Sequence, residues 1–329
     1  MPDILYVVLP CYNEEEVLPE TAARLCAKMS ALMAEGLVCA DSKIMFVNDG
    51  SADKTWQIIQ NLCRENGIFA GINLSRNRGH QNALLAGLMV AKDHADVTIS
   101  MDADLQDDIG AMESMLEKYA DGHDIVYGIR TQRRQDSFFK RRTAAAFYRF
   151  MGIIGVEIVP DHADYRLMSR RALEALSNFK EVNLFLRGIV PMVGFSSAKV
   201  PYTRAARYAG VTKYPLGKML SFAIEGITSL SVRPIRIISV LGLVSFFASM
   251  VMLIFFLIDY IRGTTTAGWA STIVSIWAIG GLQLFSIGII GEYIGKIYLE
   301  VKGRPRYTIE SVILNKEKKD DAARIFLGN

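Results

Sequence analysis

The chain has 329 residues, of which 51% are hydrophobic, and it carries four cysteines and a formal net charge of +3. With no array of basic and aromatic residues, this charge excludes a nucleic-acid-binding surface. Cysteines that form no CxxC pair exclude a zinc site and a disulfide framework. The length suffices for one α/β domain of roughly 200 residues and an appendage. A mean hydropathy of +0.22 predicts that the appendage contacts a membrane.

Short apolar segments alternate with helix-type patterns at the start of the chain, and each apolar segment ends in a polar turn. The predicted strands are residues 4–9, 43–47, 68–74 and 97–101. Strands and helices that alternate at this spacing predict a mostly parallel sheet with helices on both faces. Ligands bind such sheets outside the carboxyl ends of the strands. We therefore expect the four polar turns to line a single cleft.

Asp102 and Asp104 follow the fourth predicted strand, one residue apart. Residues two apart on an extended segment point in the same direction, so both carboxylates are able to face one ligand. Carboxylate oxygens suit Mg²⁺ or Mn²⁺, and such an ion offsets charge on a departing nucleoside diphosphate. A helix N-cap is the alternative for an isolated pair of this kind, because aspartate is favoured at caps.

A basic stretch begins at Arg130 and continues with Arg133 and further lysines and arginines around two phenylalanines. A solvated helix face is one interpretation, because charge runs usually have that role. Beside a membrane, the same stretch offers Arg130, Arg133 and Ser137 to a lipid phosphate, which arginine binds through two hydrogen bonds. Both interpretations stay open at this point.

The C-terminal part contains two runs without any charged residue, 237–258 and 263–291. A helix of roughly 20 such residues spans about 30 Å of hydrocarbon, although two buried helices of a soluble core are the alternative. Basic residues flank the pair on its outer sides, which predicts an inner or plasma membrane protein with both termini and the catalytic domain in the cytosol. The predicted segments are a catalytic domain at 1–213, an interfacial amphipathic helix at 214–232, two transmembrane helices within 233–297 and a cytosolic tail at 298–329.

Six motifs occur in order along the chain, and together they are more specific than any one of them. They are PCYNEE at 10–15, VNDGS at 47–51, LSRNRGH at 74–80, DADLQ at 102–106, DYRL at 164–167 and TKYP at 212–215. This set resembles the family-2 glycosyltransferases of the polyprenyl-phosphate type, the relatives of bactoprenol glucosyltransferase and dolichol-phosphate mannose synthase. The resemblance covers nearly the whole chain and implies an α/β domain with the GT-A nucleotide-sugar-binding fold.

The resemblance also implies which residues bind the nucleotide-sugar donor and its metal ion. The donor-binding residues are Pro10, Tyr12, Asn13, Glu14, Asp49, Asp102 and Tyr214, and the metal-binding residues are Asp104, Gln106 and Asp102. Asn48 departs from the pattern, because many relatives carry aspartate at this position. The change removes a charge and keeps a hydrogen-bond acceptor.

The catalytic residues implied by the resemblance are Asp164, Asp104, Arg207 and Lys213. Asp164 lies beside the acceptor, where it acts as a base or as a positioning residue; a structural helix cap is a third interpretation. Arg207 and Lys213 belong to a polar segment that is expected to fold over the donor diphosphate and stabilise the leaving group. A basic loop that faces the membrane is the alternative for this segment.

The predicted function is the inverting transfer of a hexose from a UDP-sugar to undecaprenyl or another polyprenyl phosphate at the cytosolic membrane face, as a step in building the cell envelope. UDP-glucose is the first choice of donor, and Mg²⁺ or Mn²⁺ is the expected cofactor. The alternatives are another sugar on the same lipid (GlcNAc, galactose, or mannose from GDP-mannose) and a non-catalytic membrane assembly subunit. Glycines between 280 and 291 permit close helix packing in a homo-oligomer.

Overall fold

The structure is a computed structural model that describes residues 2–130, 162–182, 185–203, 233–262 and 269–314. These residues divide into two compact units. The first unit contains the described residues up to 203 together with residues 304–314. The second unit contains the two long helices that precede residue 304.

Within the described residues, eight strands of the first unit form one mixed sheet. They are β1 (Leu5–Cys11), β2 (Lys43–Asn48), β3 (Phe69–Leu74), β4 (Val97–Ser100), β5 (Ile125–Arg130), β6 (His162–Ser169), β7 (Ser197–Tyr202) and β8 (Ile309–Ile313). Their order across the sheet is β7-β5-β6-β4-β1-β2-β3-β8. Strands β1 to β4 pair in parallel, as predicted, whereas β6 and β8 run antiparallel to their neighbours.

The helices of the first unit connect successive strands, because parallel neighbours need a crossover. They are α1 (Leu18–Ala34), α2 (Thr55–Glu65), α3 (His80–Lys92), α4 (Ala111–Ala120), α5 (Arg170–Ser177) and α6 (Leu186–Met192). The second unit consists of α7 (Arg233–Ile261) and α8 (Trp269–Lys302). The alternation of strand and helix from β1 through β4 is the one that the sequence pattern predicts.

The core lies in two layers, one on each face of the sheet. Leu5, Val7 and Leu9 of β1 pack with residues of α1, α2 and α4. Tyr6 and Val8 point to the other face, where they pack with residues of α3, α5 and α6. A strand buried on both faces reads as a continuous apolar run in the sequence. The predicted cover of helices on both faces is therefore confirmed.

Helix α3 packs unusually close to the sheet at Gly87. A β-carbon built on Gly87 would lie 2.4 Å from Cγ1 of Val8 and 2.7 Å from Cγ2 of Val47. Glycine is therefore required here for close approach of the helix backbone to β1 and β2. Helix α3 begins at His80.

The predicted cytosolic tail at 298–329 contributes a strand to the first unit. Strand β8 pairs with β3, with Asn73 opposite Ser311, and the N–H of Ser75 donates to the carbonyl of Thr308 at 3.0 Å. An open edge of β3 would leave its backbone groups without partners, and β8 covers that edge. A catalytic domain that ends at residue 213 therefore lacks one strand of its own sheet.

Helices α7 and α8 expose many large apolar side chains. The exposed residues include Val240, Val244, Phe247 and Val251 of α7 and Ile276, Leu284, Phe285 and Ile287 of α8. In the part of the chain that the structure describes, no helix combines the length and the apolar character that a membrane crossing requires. The structure thus does not support the two transmembrane helices predicted within 233–297. The predicted interfacial helix at 214–232 lies outside the described residues.

Gly87→Ala should lower the free energy of unfolding by about 1–3 kcal/mol, because the added methyl group forces α3 away from β1 and β2. Urea unfolding followed by circular dichroism measures this change. Gly67→Ala is the matched control, since no atom lies within 4 Å of the position of its β-carbon. This control should change the free energy by no more than about 0.5 kcal/mol. Equal losses in the two variants would contradict the close packing at Gly87.

Candidate active site

Hydrogen bonds join the turns that follow β1 and β2. The N–H of Asn13 donates to Oγ of Ser51 at 3.0 Å, and the N–H of Glu14 donates to Oγ1 of Thr55 at 2.9 Å. In the other direction, the N–H of Ala52 donates to Oδ1 of Asn13 at 2.9 Å. Asn13 has a φ of 54°, a left-handed conformation in which asparagine is enriched. The predicted donor-binding residues Asn13 and Glu14 therefore hold the two turns together.

Tyr12 and Pro10 have different roles at the end of β1. The side chain of Tyr12 is 48% exposed, whereas Pro10 is buried in β1 opposite Val47 of β2. An exposed aromatic ring at the carboxyl end of a strand is able to stack on a nucleobase. Of these two predicted donor-binding residues, Tyr12 presents a surface for stacking, and Pro10 supports the turn.

Asp49 fixes the turn after β3 against the turn after β2. It is 2% exposed, and its carboxylate accepts hydrogen bonds from the N–H groups of Arg78 at 2.7 Å and Gly79 at 2.9 Å. Burial raises the pKa of Asp49, although these two hydrogen bonds act in the opposite direction. Gly50, with a φ of 62°, allows a close approach, since a β-carbon there would lie 2.5 Å from the nitrogen of Asn77. Asp49, predicted to bind the nucleoside, therefore also positions the neighbouring turn.

The segment that carries Asp102 and Asp104 turns sharply after β4, so the expectation of an extended segment is wrong. Leu105 has a φ of 58°, and the N–H of Gln106 donates to Oδ1 of Asp104 at 3.2 Å. The side chain of Asp102 is 28% exposed, whereas Asp104 is only 7% exposed. The two carboxylates therefore differ in their access to solvent, and Asp102 is the more accessible one.

The carboxylates around this turn disfavour one another's ionisation. Burial raises the pKa of Asp102 to about 6; the charge of His80 opposes this change, and the charges of Asp107, Asp164 and Asp104 add to it. The pKa of Asp107 is raised as well, first by burial. Like charges that share a site favour the binding of a cation, which offsets them. The chemistry of this group of residues therefore fits a divalent metal ion.

The predicted metal site is not a preformed cage. Within the residues that the structure describes, no group of three or more His, Cys, Asp and Glu side chains is arranged to hold a metal ion. Mg²⁺ is usually held by one or two carboxylates, with phosphate oxygens of the substrate and water as the other ligands. Asp102, Asp104 and Gln106 fit a site of this second kind, which the donor diphosphate completes.

Arg130, predicted to bind the acceptor phosphate, is linked to the carboxylates through Tyr202. Its Nε donates to the hydroxyl of Tyr202 at 3.1 Å, and this hydroxyl donates to Oδ1 of Asp107 at 2.6 Å. Burial lowers the pKa of Arg130, but the contacts with Tyr202 and Asp107 outweigh burial and keep it above its ordinary value. Arg130 is therefore a charged residue at the edge of the site. Arg133 and Ser137, its predicted partners, lie outside the described residues.

Asp164 is buried among three basic side chains. Its carboxylate lies 2.7 Å from Nη2 of Arg166, 3.1 Å from Nη2 of Arg187 and 3.5 Å from Nε2 of His80. Burial raises the pKa of Asp164, but the hydrogen bond with His80 and the charges of Arg187 and Arg166 hold it well below its ordinary value. A carboxylate with so low a pKa is a weak proton acceptor. The geometry thus favours positioning over base catalysis as the role of Asp164.

His80 joins Asp102 to Asp164, and the sequence analysis assigned it no role. Its Nε2 lies 3.6 Å from Oδ1 of Asp102 and 3.5 Å from Oδ2 of Asp164. Burial lowers the pKa of His80, but the hydrogen bond with Asp164 and the charge of Asp102 outweigh burial and raise it. His80 is the last residue of the motif at 74–80. Its place in a motif indicates that it has a role, but it does not identify the residues that it contacts. Arg187 belongs to none of the six motifs, so the sequence contained no signal for it.

Three further predicted residues belong to the segment between β7 and α7. Arg207, Lys213 and Tyr214 lie outside the described residues. Their expected roles beside the donor diphosphate stay predictions.

Parallel strands that end in polar turns around a carboxylate pair, with helices on both faces, define a GT-A-like α/β fold. The chain belongs to glycosyl transferase family 2, whose family model matches residues 6–177. The predicted family is therefore confirmed, and the protein is a glycosyltransferase.

Relatives match the chain over most of its length. The uncharacterized glycosyltransferase YkoT of Bacillus subtilis (strain 168) is 54% identical over 314 residues, which cover 95% of this chain and 93% of YkoT. The bactoprenol glucosyl transferase of Shigella phage SfX is 38% identical over 309 residues, which cover 93% of this chain and 98% of the phage protein. The crystal structure of glucosyl-3-phosphoglycerate synthase from Mycobacterium tuberculosis matches with a TM-score of 0.44 and 19% identity, over 69% of this chain and 77% of that one.

Asp164→Asn should lower the free energy of unfolding by about 3 kcal/mol, because it leaves the charge of Arg166 buried without its counterion. Arg166 is 1% exposed, so solvent does not compensate for the loss. Thermal and urea unfolding of the full chain measure the effect. Asp121→Asn is the matched control: its partner Lys118 and Asp121 are both exposed, and the control should unfold like the wild type. Unchanged stability of Asp164→Asn would contradict the buried ion pair.

Proposed function

We propose that this glycosyltransferase transfers a hexose, with glucose as the first choice, from a UDP-sugar to undecaprenyl or another polyprenyl phosphate, with inversion at the anomeric carbon. The observation that carries the proposal is the contact of His80 with both Asp102 and Asp164, which joins the proposed donor side of the site to its acceptor side. Relatives named bactoprenol glucosyl transferase, 38% identical over most of the chain, support this class of acceptor.

The donor binds across the turns that follow β1, β2 and β4. The exposed ring of Tyr12 stacks on the uracil, and the turn held by Asp49 encloses the nucleoside. Asp102 and Asp104, with Gln106, would hold Mg²⁺ or Mn²⁺ together with the donor diphosphate, and the bound ion would offset the charge of the leaving group. The like charges of Asp104 and Asp107 beside Asp102 support a cation at this position.

The leaving group is also stabilised by residues of the chain itself. Arg207 and Lys213, with Tyr214, close over the diphosphate, where their positive charges oppose the negative charge that builds up as the sugar departs. The roles of Lys213 and Tyr214 rest on the motif at 212–215, and the role of Arg207 rests on its place in the same polar segment.

The acceptor needs little help to lose a proton. The second pKa of a phosphate monoester is about 6, so the attacking oxygen is already largely ionised at neutral pH. Asp164 therefore acts by position: it orients His80 and Arg187, and its negative charge faces the positive charge that develops at the anomeric carbon. Arg130, with Arg133 and Ser137, binds the acceptor phosphate at the edge of the site.

We propose that α7 and α8 hold the enzyme at the cytosolic face of a membrane. Their exposed apolar side chains, such as Val244 at 59% and Val251 at 66% exposure, favour contact with lipid over water. A polyprenyl phosphate is itself held in the membrane, so this placement holds the enzyme and its acceptor at the same surface.

Membranes that contain the protein should transfer labelled glucose from UDP-glucose to added undecaprenyl phosphate, in the presence of Mn²⁺ or Mg²⁺. The lipid product is extracted into organic solvent and counted, beside parallel reactions with UDP-GlcNAc, UDP-galactose and GDP-mannose. If only one of the other donors gives a lipid product, the transferred sugar is the sugar of that donor and not glucose. No lipid product from any of the four donors would contradict the proposed reaction.

Asp104→Asn should abolish this transfer and the metal-dependent binding of UDP, because the amide replaces a charged metal ligand. Calorimetric titration with UDP and Mn²⁺ measures the binding step apart from the transfer. Asp108→Asn is the matched control, since Asp108 is exposed and its Oδ1 accepts a hydrogen bond from the N–H of Gly110, which asparagine is also able to accept. Full activity of Asp104→Asn would exclude Asp104 as a metal ligand.

Val244→Lys together with Val251→Lys should reduce the fraction of purified protein that floats with phospholipid vesicles in a density gradient. Two charges on this surface of α7 oppose its transfer into an apolar phase. Leu37→Lys is the control, because Leu37 is an apolar residue of similar exposure, 46%, in the first unit. Equal flotation of both variants and the wild type would contradict lipid contact through α7.

A further inference from the structure

A chain of polar side chains runs from the last strand of the sheet to the turn that follows β2. Oε2 of Glu310, on β8, accepts from Nδ2 of Asn73 at 2.7 Å, and Oδ1 of Asn73 accepts from Nδ2 of Asn48 at 2.6 Å. Oδ1 of Asn48 then accepts from the N–H of Ser51 at 3.3 Å. Oγ of Ser51 in turn accepts from the N–H of Asn13. The turns after β1 and β2 are thus connected to β8.

The N–H of Ser51 and the carboxylate of Glu310 determine the direction of the three hydrogen bonds between them. The N–H of Ser51 is only a donor, so the side-chain oxygen of Asn48 must face it and the amide NH₂ of Asn48 must face Asn73. The carboxylate of Glu310 is only an acceptor, so the NH₂ of Asn73 must face Glu310 and its oxygen must face Asn48. These two groups therefore determine the orientation of the side-chain amides of Asn48 and Asn73.

These hydrogen-bond directions show why asparagine, and not aspartate, suits position 48 when residue 310 is glutamate. An aspartate at 48 has no donor to offer, so Asn73 would turn its NH₂ toward residue 48 and its oxygen toward Glu310. Two acceptors would then face each other at Asn73 and Glu310. The reversed side chain of Asn73, which is half-buried, would then lose its partner on β8, because the exposed carboxylate of Glu310 has no proton to donate to it.

We infer that Glu310 is a positioning residue for the donor site, which acts through Asn73 and Asn48 on the turn that carries Asp49 and Ser51. The inference rests on the proposed function in one respect: the ligand of the donor site is taken to be a nucleoside diphosphate. The pairing of β8 with β3, and the bond from Ser75 N–H to the carbonyl of Thr308, hold Glu310 beside Asn73. Strand β8 therefore contributes a residue that holds the donor-binding turns in place.

The test is a double-substitution cycle on the full chain with Asn48→Asp, Glu310→Gln and the pair together. Asn48→Asp should weaken the binding of UDP with Mn²⁺ by at least about threefold, the loss of roughly one hydrogen bond. Glu310→Gln alone should stay within about twofold of the wild type, because glutamine offers its oxygen to Asn73. In the Glu310→Gln background, Asn48→Asp should have a smaller effect, because glutamine then offers its NH₂ to the reversed Asn73. Effects common to both backgrounds, such as the new charge beside Asp49, cancel in the cycle.

Hydrogen exchange of the backbone around residues 49–52 gives a second readout that needs no ligand. Asn48→Asp should speed exchange in this turn, and Glu310→Gln should restore the slower rate in the double variant. If Asn48→Asp has the same effect on binding and on exchange whichever residue occupies 310, the inference is overturned. A wild-type protein that binds no UDP would contradict the proposed function instead, and the exchange rates would still decide whether Glu310 positions the turn.

Discussion

A buried carboxylate among basic side chains is the interaction on which the rest of the site depends. Asp164 offsets the charge of Arg166, which is 1% exposed, and an unpaired charge at that depth would be strongly destabilising. The same carboxylate contacts Arg187 of α6 and His80 of α3. The order of the sheet, with β6 between β4 and β5, brings it to these partners. One charge therefore fixes the relative positions of two helices and a strand, and the proposed acceptor side of the site is assembled around it.

Local sequence patterns predicted the part of the structure that local forces determine. The first four strands agree with the predicted segments to within about two residues, because each is a continuous apolar run between polar turns. The gathering of their turns at one edge follows from parallel pairing, and the hydrogen bond from the N–H of Asn13 to Oγ of Ser51 shows it for the first two turns. The segment that carries Asp102 and Asp104 was predicted to be extended, but it forms a turn, and the next residue, Leu105, has a positive φ. Glycine or asparagine at this position would have indicated a positive φ, but leucine does not.

The features that the sequence analysis did not predict depend on contacts between distant residues. Whether Asp164 is a base or a positioning residue depends on its pKa, which Arg187 and His80 set from other elements. The strand at Ile309–Ile313 is short, lies in a segment expected to be a tail, and is stabilised by pairing with β3 at the opposite end of the chain. Short apolar runs do not specify their partners, so no local pattern identifies such a strand.

The position of β8 in the sequence imposes an order on the synthesis of the protein. The ribosome makes both long helices after β7 and before β8, so the outer edge of β3 stays open until residues 309–313 have been made. At about 5–20 residues per second, the interval between β7 and β8 lasts on the order of 5–20 seconds. An open strand edge is a template for pairing with other chains, so the nascent first unit is exposed to aggregation during this time. The first unit is complete only in chains whose helices α7 and α8 have already been made.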